Sequence, residues 1–351
     1  MKRFSAIFWA TLFFIIFPAL NLNAQETWLG KNLNAVGRFL DERAMVGVDS
    51  AFLSPPKHGW MVSVSSAFAG INTSVAGHNI PTYNDIDINM KSGLNGKTSI
   101  AFGYRSLSVK YSINVSKGYY KDLNISLLTN GIGVELRSHT TEGLSGTLDA
   151  SATPEVMHVK EGDTKLRATI INGYYVLNSR RYSLPAAMGN GAIQKRSSGS
   201  LTAYAVFLNA KLEAQNNALL QMLGGMKTID FYQAAAGIGY GYNFTPNQGK
   251  LLFHASAAPL VVFFNKNFIT ASTRIPLPDG TVYATDISKE VKSKNKVFIT
   301  AVGRASVIYT INDHFQLGLN ALLNDIRFNA ESGVRIGMDD WVTLAYLSFR
   351  F

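Results

Sequence analysis

The stretch Trp341–Phe351 reads WVTLAYLSFRF. Trp341, Thr343, Ala345, Leu347, Phe349 and Phe351 fall on one side of an extended chain, and Val342, Leu344, Tyr346, Ser348 and Arg350 on the other. Successive strand side chains point to opposite faces, so this is strand periodicity. The first face stays apolar to its end, while the second turns polar. A core strand of a soluble sandwich also fits this pattern, so the remaining chain has to decide the fold.

At the other terminus, MKRFSAIFWATLFFIIFPALNLNAQ sets Lys2 and Arg3 before an uncharged apolar run, Phe4 to Leu20, broken by Pro18. This order of charge, apolar core and small-residue approach predicts a secretory signal peptide over 1–24, cut after Ala24. Pro18, Asn21 and Asn23 speak against a spanning anchor, and no later apolar run approaches the ~20 residues a membrane helix needs. Removing 1–24, which holds Lys2 and Arg3 but no acid, takes the formal charge from +10 to +8. There is no Cys in the chain, which excludes a disulfide framework, a thiol nucleophile and a cysteine zinc site.

Composition narrows the class further. With 30 Gly, 21 Phe, 15 Tyr and only 16% charged residues, apolar side chains are plentiful, yet they occur in alternation rather than in blocks. That suits a membrane barrel, where each strand offers one face to lipid and the other to a polar lumen.

Organisation follows the periodicity. Leu29, Leu33, Val36 and Leu40 recur at helical spacing, so 26–46 is expected to form an amphipathic helix. SPPKHG at 54–59 stops it, and from Trp60 onward the period is two. Strands are expected near 60–68, 85–91, 98–114, 121–128, 131–138, 165–176, 199–212, 230–244, 250–265, 296–311, 314–328 and 341–351. Within 98–114 the apolar parity slips at Arg105 and Ser106, which fits either a bulge or a very tight turn. Taking this segment as one bulged strand gives twelve strands, within a range of ten to fourteen. Short connections at 245–249 and 312–314 then share one side, the periplasmic one, and longer connections lie outside. The expected domains are a signal peptide (1–24), a periplasmic or plug segment with the helix (25–58), and an all-β transmembrane antiparallel barrel (59–351).

Phe351 and Phe349 resemble the C-terminal aromatic assembly signal of outer-membrane barrels. Three stretches resemble a narrower family of outer-membrane proteins from Bacteroidetes-type bacteria, catalogued as domain of unknown function 4421. They are GLNGKTSIAFGYRSLSVKYSINVSK (93–117), NGYYVLNSRRYSLPAAMGNGAIQKRSSGSL (172–201) and the SFRF ending. The resemblance covers the chain from about Val46 and implies a barrel in the outer membrane of a Gram-negative bacterium, with the outer-membrane assembly machinery as a partner. It implies no reaction and transfers no catalytic residue. Where the family usually ends in glycine, tyrosine, arginine and phenylalanine, this chain has Ser348, Phe349, Arg350 and Phe351.

The candidate chemistry is sparse. His254 and Ser256 sit two apart on a strand and point the same way, so the imidazole can serve as base to the hydroxyl. Such a His-x-Ser pair resembles the active sites of outer-membrane phospholipases and lipid A deacylases. An orienting partner is not evident, with Gln233 on the preceding strand the only guess. Asp85, Asp87 and Asn89 share a strand face but fit no calcium-loop pattern and read as lumen carboxylates. His58, His78, His139, His158 and His314 sit singly, so no metal site and no cofactor are expected. Arg180, Arg181, Lys195 and Arg196 flank YSLPAAMGNGAIQ, and Lys289, Lys292, Lys294 and Lys296 crowd a second loop. These clusters are expected to meet lipopolysaccharide phosphates or draw anions to a pore. Nucleic acid is not a suitable partner for an exported membrane protein.

The expected function is a non-enzymatic, narrow or gated, porin-like channel for small anionic solutes. Its alternatives are a structural or assembly barrel that binds a periplasmic or surface partner, through 26–46 among other segments, and a lipid acyl hydrolase using His254 and Ser256. A channel needs a continuous polar lumen, a structural barrel an interior blocked by the 26–46 helix or the 177–198 segment, and the hydrolase needs His254 and Ser256 at the lipid-facing outer rim.

Overall fold

In the computed structural model, alternation becomes a wall with its polarity inverted relative to a soluble protein. The structure describes residues 46–351, apart from 81–83, 93–94, 115–119, 151–155, 218, 220–224, 277–281, 292–296 and 330–334. The expected signal peptide lies outside the described residues, as does the expected 26–46 helix except for Val46.

Twelve antiparallel strands form the barrel. They are β1 (Trp60–Ile80), β2 (Asn95–Tyr104), β3 (Leu107–Asn114), β4 (Tyr120–Leu128), β5 (Ile132–Thr141), β6 (Thr164–Val176), β7 (Ser198–Ala214), β8 (Met226–Phe244), β9 (Leu251–Pro276), β10 (Phe298–Thr310), β11 (Phe315–Asn329) and β12 (Arg335–Arg350). Each pairs with the next, and β12 pairs with β1 from Arg350↔Met61 to Arg335↔Ala76, which closes the cylinder. The main chain of Phe351 completes the seam, with its N–H donating to the Trp60 carbonyl at 3.1 Å and its own carbonyl accepting from Trp60 at 3.2 Å. Closure gives every wall strand a paired neighbour on each side.

Outward positions are apolar and exposed: Val64 and Phe68 on β1, Ile238, Tyr240 and Tyr242 on β8, Leu317 and Leu319 on β11, Leu347 and Phe349 on β12. Inward positions are buried and largely polar, including Ser63, Ser65, Ser99, Ser112, Asn172, Thr202, Ser306, Gln316 and Asn324. An apolar exterior around a polar interior is the arrangement of a barrel whose solvent is lipid. Trp60, Tyr242, Phe244, Phe253, Tyr309, Phe315, Phe349 and Phe351 are exposed at the strand ends that border the short turns. They form the aromatic band expected at a membrane interface. No helix among the described residues is long and apolar enough to cross a membrane.

Close packing of the wall explains part of the glycine and tyrosine content. Tyr174 lies opposite Gly133, Tyr346 opposite Gly318 and Trp341 opposite Gly70. In each pair the aromatic ring occupies the space where a side chain on the glycine would stand, the cross-strand covering of a glycine by a ring.

The expected count of twelve holds, but two of its strands were misassigned in ways that offset. Residues 95–104 and 107–114 are separate strands joined by the two-residue turn Arg105–Ser106, not one bulged strand. Arg105 adopts φ 51°, and its left-handed backbone is held by a bond from its N–H to the Gly59 carbonyl (2.9 Å) and by its guanidinium on the Pro56 carbonyl (3.1 Å). In compensation, Asn84–Ser92 is no wall strand. It folds back along the outer part of β1 and pairs on its other edge with Leu144–Ala150, which in turn pairs with Met157–Val159.

The connections at one end are 105–106, 129–131, 245–250 and 311–314, with 177–197 the one long exception. The opposite end carries the long connections 81–94, 142–163, 215–225 and 277–297, together with two of five residues, 115–119 and 330–334. Short turns on one side and long loops on the other match the asymmetry of outer-membrane barrels.

Candidate functional site

The lumen is filled at two levels. At the long-loop end the filling is apolar. Ile71, Val75, Ile88, Met90, Leu144, Leu148 and Val159 pack with Leu166, Ile170, Leu208, Leu212 and Ile229 of β6–β8. The short β2–β5 let the 84–92 and 144–150 ribbon close over the lumen at this end. Asp87 and Asn89, expected as lumen carboxylate neighbours, are instead exposed on this ribbon and bonded to each other at 2.7 Å.

At the short-turn end the filling is the 177–197 connection. It contains one helical turn, α1 (Leu184–Ala187), whose residues are all buried. Ser183 starts the turn because its hydroxyl accepts from the Ala186 N–H at 3.1 Å. The same hydroxyl donates to Asn130 Oδ1 at 2.6 Å, tying the segment to the β4–β5 turn. Arg350 donates to the Gly189 carbonyl at 3.0 Å, and Ser306 donates to the Ala187 carbonyl. Gly189 has φ 75°, and a side chain there would run into the Tyr346 ring. Of the two segments expected to block a filled barrel, 177–198 does so at this end, and 26–46 lies outside the described residues except for Val46. Residues 53–54 merely pair with 193–194 beneath the plug.

Between the two fillings lies a polar chamber of about 150 Å³, lined among others by Lys110, Asp122, Glu135, Arg137, His254 and Arg304. Its walls are tied across the lumen by buried ion pairs. Arg137 of β5 bonds Asp122 of β4 (3.0 Å) and Asp340 of β12 (2.7 Å), and also donates to the Tyr120 hydroxyl (3.1 Å). Arg304 of β10 pairs with Glu135 of β5. The Lys97 ammonium rests 3.2 Å from the centre of the Tyr120 ring, a desolvated cation–π contact.

His254 and Ser256 come together as their spacing predicts, with His254 Nε2 3.0 Å from Ser256 Oγ. The orienting group is Asn243, not Gln233. Asn243 stands directly across β8–β9 from His254, with Oδ1 2.8 Å from Nδ1. Gln233 pairs with Asn265 farther up the barrel and donates to the Arg327 carbonyl at 3.3 Å.

The polarity of this chain of bonds is fixed by backbone groups. Gln194 Nε2 donates to the carbonyls of Arg181 (2.7 Å) and Arg196 (2.8 Å), so its Oε1 faces the Ser183 N–H (3.0 Å). Asn243 Nδ2 donates to the Ser183 carbonyl (2.8 Å) and to Gln194 Oε1 (3.0 Å). Asn243 Oδ1 is therefore an acceptor, His254 carries its proton on Nδ1, and Nε2 is left with a lone pair toward the Ser256 hydroxyl. The buried Tyr182 ring covers His254, with centroids 6.3 Å apart. Burial pushes the Tyr182 phenol above its ordinary value, keeping it neutral.

The pair faces the lumen near the short turns, not the lipid-facing rim that a membrane-lipid hydrolase requires. The basic clusters are also parted. Arg180, Arg181, Lys195 and Arg196 sit outside the lumen at the short-turn end. There Arg181 pairs with Asp49 (3.4 Å), the guanidinium groups of Arg181 and Arg196 each lie over the Phe52 ring, and Lys195 donates to the Ser50 carbonyl (2.8 Å). Lys289 is exposed on the Val282–Val291 ribbon that extends β9 at the opposite end. Lys292, Lys294 and Lys296 lie outside the described residues. Lys289 and the first cluster therefore share no patch. His58 and His314 stack at 4.3 Å beside Phe349, which also packs on Phe315 and Phe351. No group of acids and histidines able to hold a metal ion occurs among the described residues.

Sequence reasoning missed Asn243, Gln194 and Arg304. Asn243 stands opposite His254 because the β8–β9 hairpin pairs Phe244 with Phe253, a register two residues off the one that strand ends at 244 and 251 would suggest.

No curated protein matches the chain. Among solved structures it is similar to the outer membrane protease OmpT from Escherichia coli, at 10% identity, 85% of this chain, 98% of that chain and a TM-score of 0.39. It is also similar to the translocator domain of the autotransporter NalP from Neisseria meningitidis, at 10% identity, 92% and 96% coverage and a TM-score of 0.33. The outer membrane protein OprG from Pseudomonas aeruginosa matches at 10% identity, 84% and 97% coverage and a TM-score of 0.27. No activity is carried over from these proteins. One family model spans residues 47–351, the whole closed barrel with its plug, and the chain belongs to that family, described as a domain of unknown function, DUF4421.

Proposed function

We propose that the protein is an outer-membrane barrel of a Gram-negative bacterium that serves as a closed scaffold, binding a partner at its loops or N-terminal segment, rather than as an open pore. The observation that carries this reading is the filling of both lumen ends by the chain's own residues, apolar at the long-loop end and 177–197 at the other. The apolar outer face and the aromatic band support the membrane location. A conducting state, gated or narrow, requires both fillings to move. The exposed bases at the two ends then serve as contact points for anionic partners, with Lys289 on the side expected to meet lipopolysaccharide.

Planar-bilayer recording of the refolded full chain tests this. The expected result is silence, and silence again when 26–46 are deleted, because closure resides in 177–197 and the ribbons. Steady single-channel conductance of the intact chain would overturn the closed reading and restore the channel.

A further inference from the structure

The chamber holds more chemistry than a scaffold needs. His254 and Asn243 are connected to backbone carbonyls through Gln194 in a way that leaves only one imidazole tautomer, and that tautomer aims a basic nitrogen at Ser256. On the next strand Arg304 is the direct register partner of Ser256, and both side chains point into the lumen. Arg304 uses its two terminal nitrogens, on Glu135 and on Met188 Sδ (3.6 Å). Its Nε–H is buried with no hydrogen-bond partner. A desolvated cationic N–H left unpaired is costly, and on the strand paired with that of a hydroxyl and its adjacent base it is available to stabilise negative charge that forms during a reaction.

We propose that Ser256, His254 and Arg304 form an acyl-transfer site for short-chain carboxylic esters, with Asn243 and Gln194 as positioning residues. Ser256 Oγ bonds to the ester carbonyl carbon as its proton passes to His254 Nε2. The carbonyl π pair moves onto oxygen, where the Arg304 Nε–H holds it. Collapse breaks the carbon–oxygen bond to the alcohol portion, which leaves with the proton from His254. Water, deprotonated by His254, then attacks the acyl-serine, releasing the carboxylic acid and restoring Ser256.

Size sets the substrate class. The chamber that His254 and Arg304 line, next to Ser256, is about 150 Å³, a volume that elsewhere holds benzene. An acetyl or propionyl ester fits, and a lipid acyl chain does not. The lumen-facing position of the pair agrees with this and departs from the lipid substrate expected for a rim-facing one. This inference is independent of whether the barrel conducts, since an ester can react in a barrel that carries no current.

The refolded full chain is exposed to vinyl acetate, an ester with as many non-hydrogen atoms as benzene, and acetaldehyde release and the acetylated residue are read by NADH-coupled absorbance and peptide mass spectrometry. Folding of each variant is checked by heat-modifiable mobility. Wild type should acetylate at Ser256, and Ser256→Ala and His254→Ala should lose release by about a hundredfold or more. Asn243→Asp keeps an acceptor for His254 Nδ1–H and should retain labelling, whereas Asn243→Leu, removing it, should fall with His254→Ala. A residue acting only in packing would make the two Asn243 variants fail alike. Ser183→Ala, which loosens the plug but keeps the backbone bonds of residue 183 to Asn243 and Gln194, controls for access. If wild type and Ser183→Ala both react no faster than folded Ser256→Ala, the proposal is overturned.

Discussion

The two halves of the lumen are filled by opposite means within one wall. Toward the long loops, Ile71, Ile88, Leu144, Leu148, Leu166 and Leu208 make an apolar core like that of a soluble protein. Toward the short turns, Arg137, Asp122, Glu135, Arg304 and Asp340 tie strands across the lumen, and the plug is held by hydrogen bonds. The upper filling is specified by shape and volume, which many side chains satisfy. The lower one is specified by paired charges and oriented donors, for which single substitutions leave a buried group unmatched. A barrel wall constrains only the outward face to be apolar, so the inner face is free to adopt either solution.

The largest effect that would break this contrast is expected at Arg137. Arg137→Ala strands the buried carboxylates of Asp122 and Asp340 and should cost about 3–5 kcal/mol in denaturant unfolding followed by tryptophan fluorescence. Replacing all three with apolar residues of similar volume should recover most of that loss, because the penalty comes from unpaired charge. In the upper half, Leu144→Ala removes a side chain with 0% exposure and should cost about 2–5 kcal/mol, the range for a buried Leu cavity. No partner substitution in the network should rescue it. The smallest effect is expected at Ser183, which caps α1 and bonds Asn130. Ser183→Ala should cost about 0.5–2 kcal/mol and should increase protease cleavage within 177–197 while leaving heat-modifiable mobility intact.

Much of the wall could be read directly. The faces of Trp341–Phe351 lie as alternation required, with Ala345, Leu347, Phe349 and Phe351 exposed and Tyr346, Ser348 and Arg350 buried. His254 and Ser256 meet because a spacing of two is local geometry. The errors came where pairing is not local. Residues 84–92 alternate like a wall strand, yet their partner is 144–150, a segment more than fifty residues away. The Arg105–Ser106 turn lacks the glycine or asparagine that would mark it, since its strain is offset by bonds to Pro56 and Gly59. The bulge that turns both Phe263 and Phe264 outward on β9 left no mark in the apolar pattern either.

The sequence by itself determined the class: strands of period two, a lipid-facing apolar parity, no spanning helix among its later segments and a serine with a histidine beside it. These follow from the fixed directions of successive side chains, which any short window reveals. Tertiary structure alone decided that the chain's own residues fill both ends of the lumen, which of the candidate segments fills the short-turn end, and that Asn243 and Arg304 stand on the strands paired with that of His254 and Ser256. Those outcomes depend on register and on contacts across the cylinder, where residues such as Arg137 and Asp340 meet from distant parts of the chain. The energy of such contacts exists only once the barrel has brought them together and excluded water from between them.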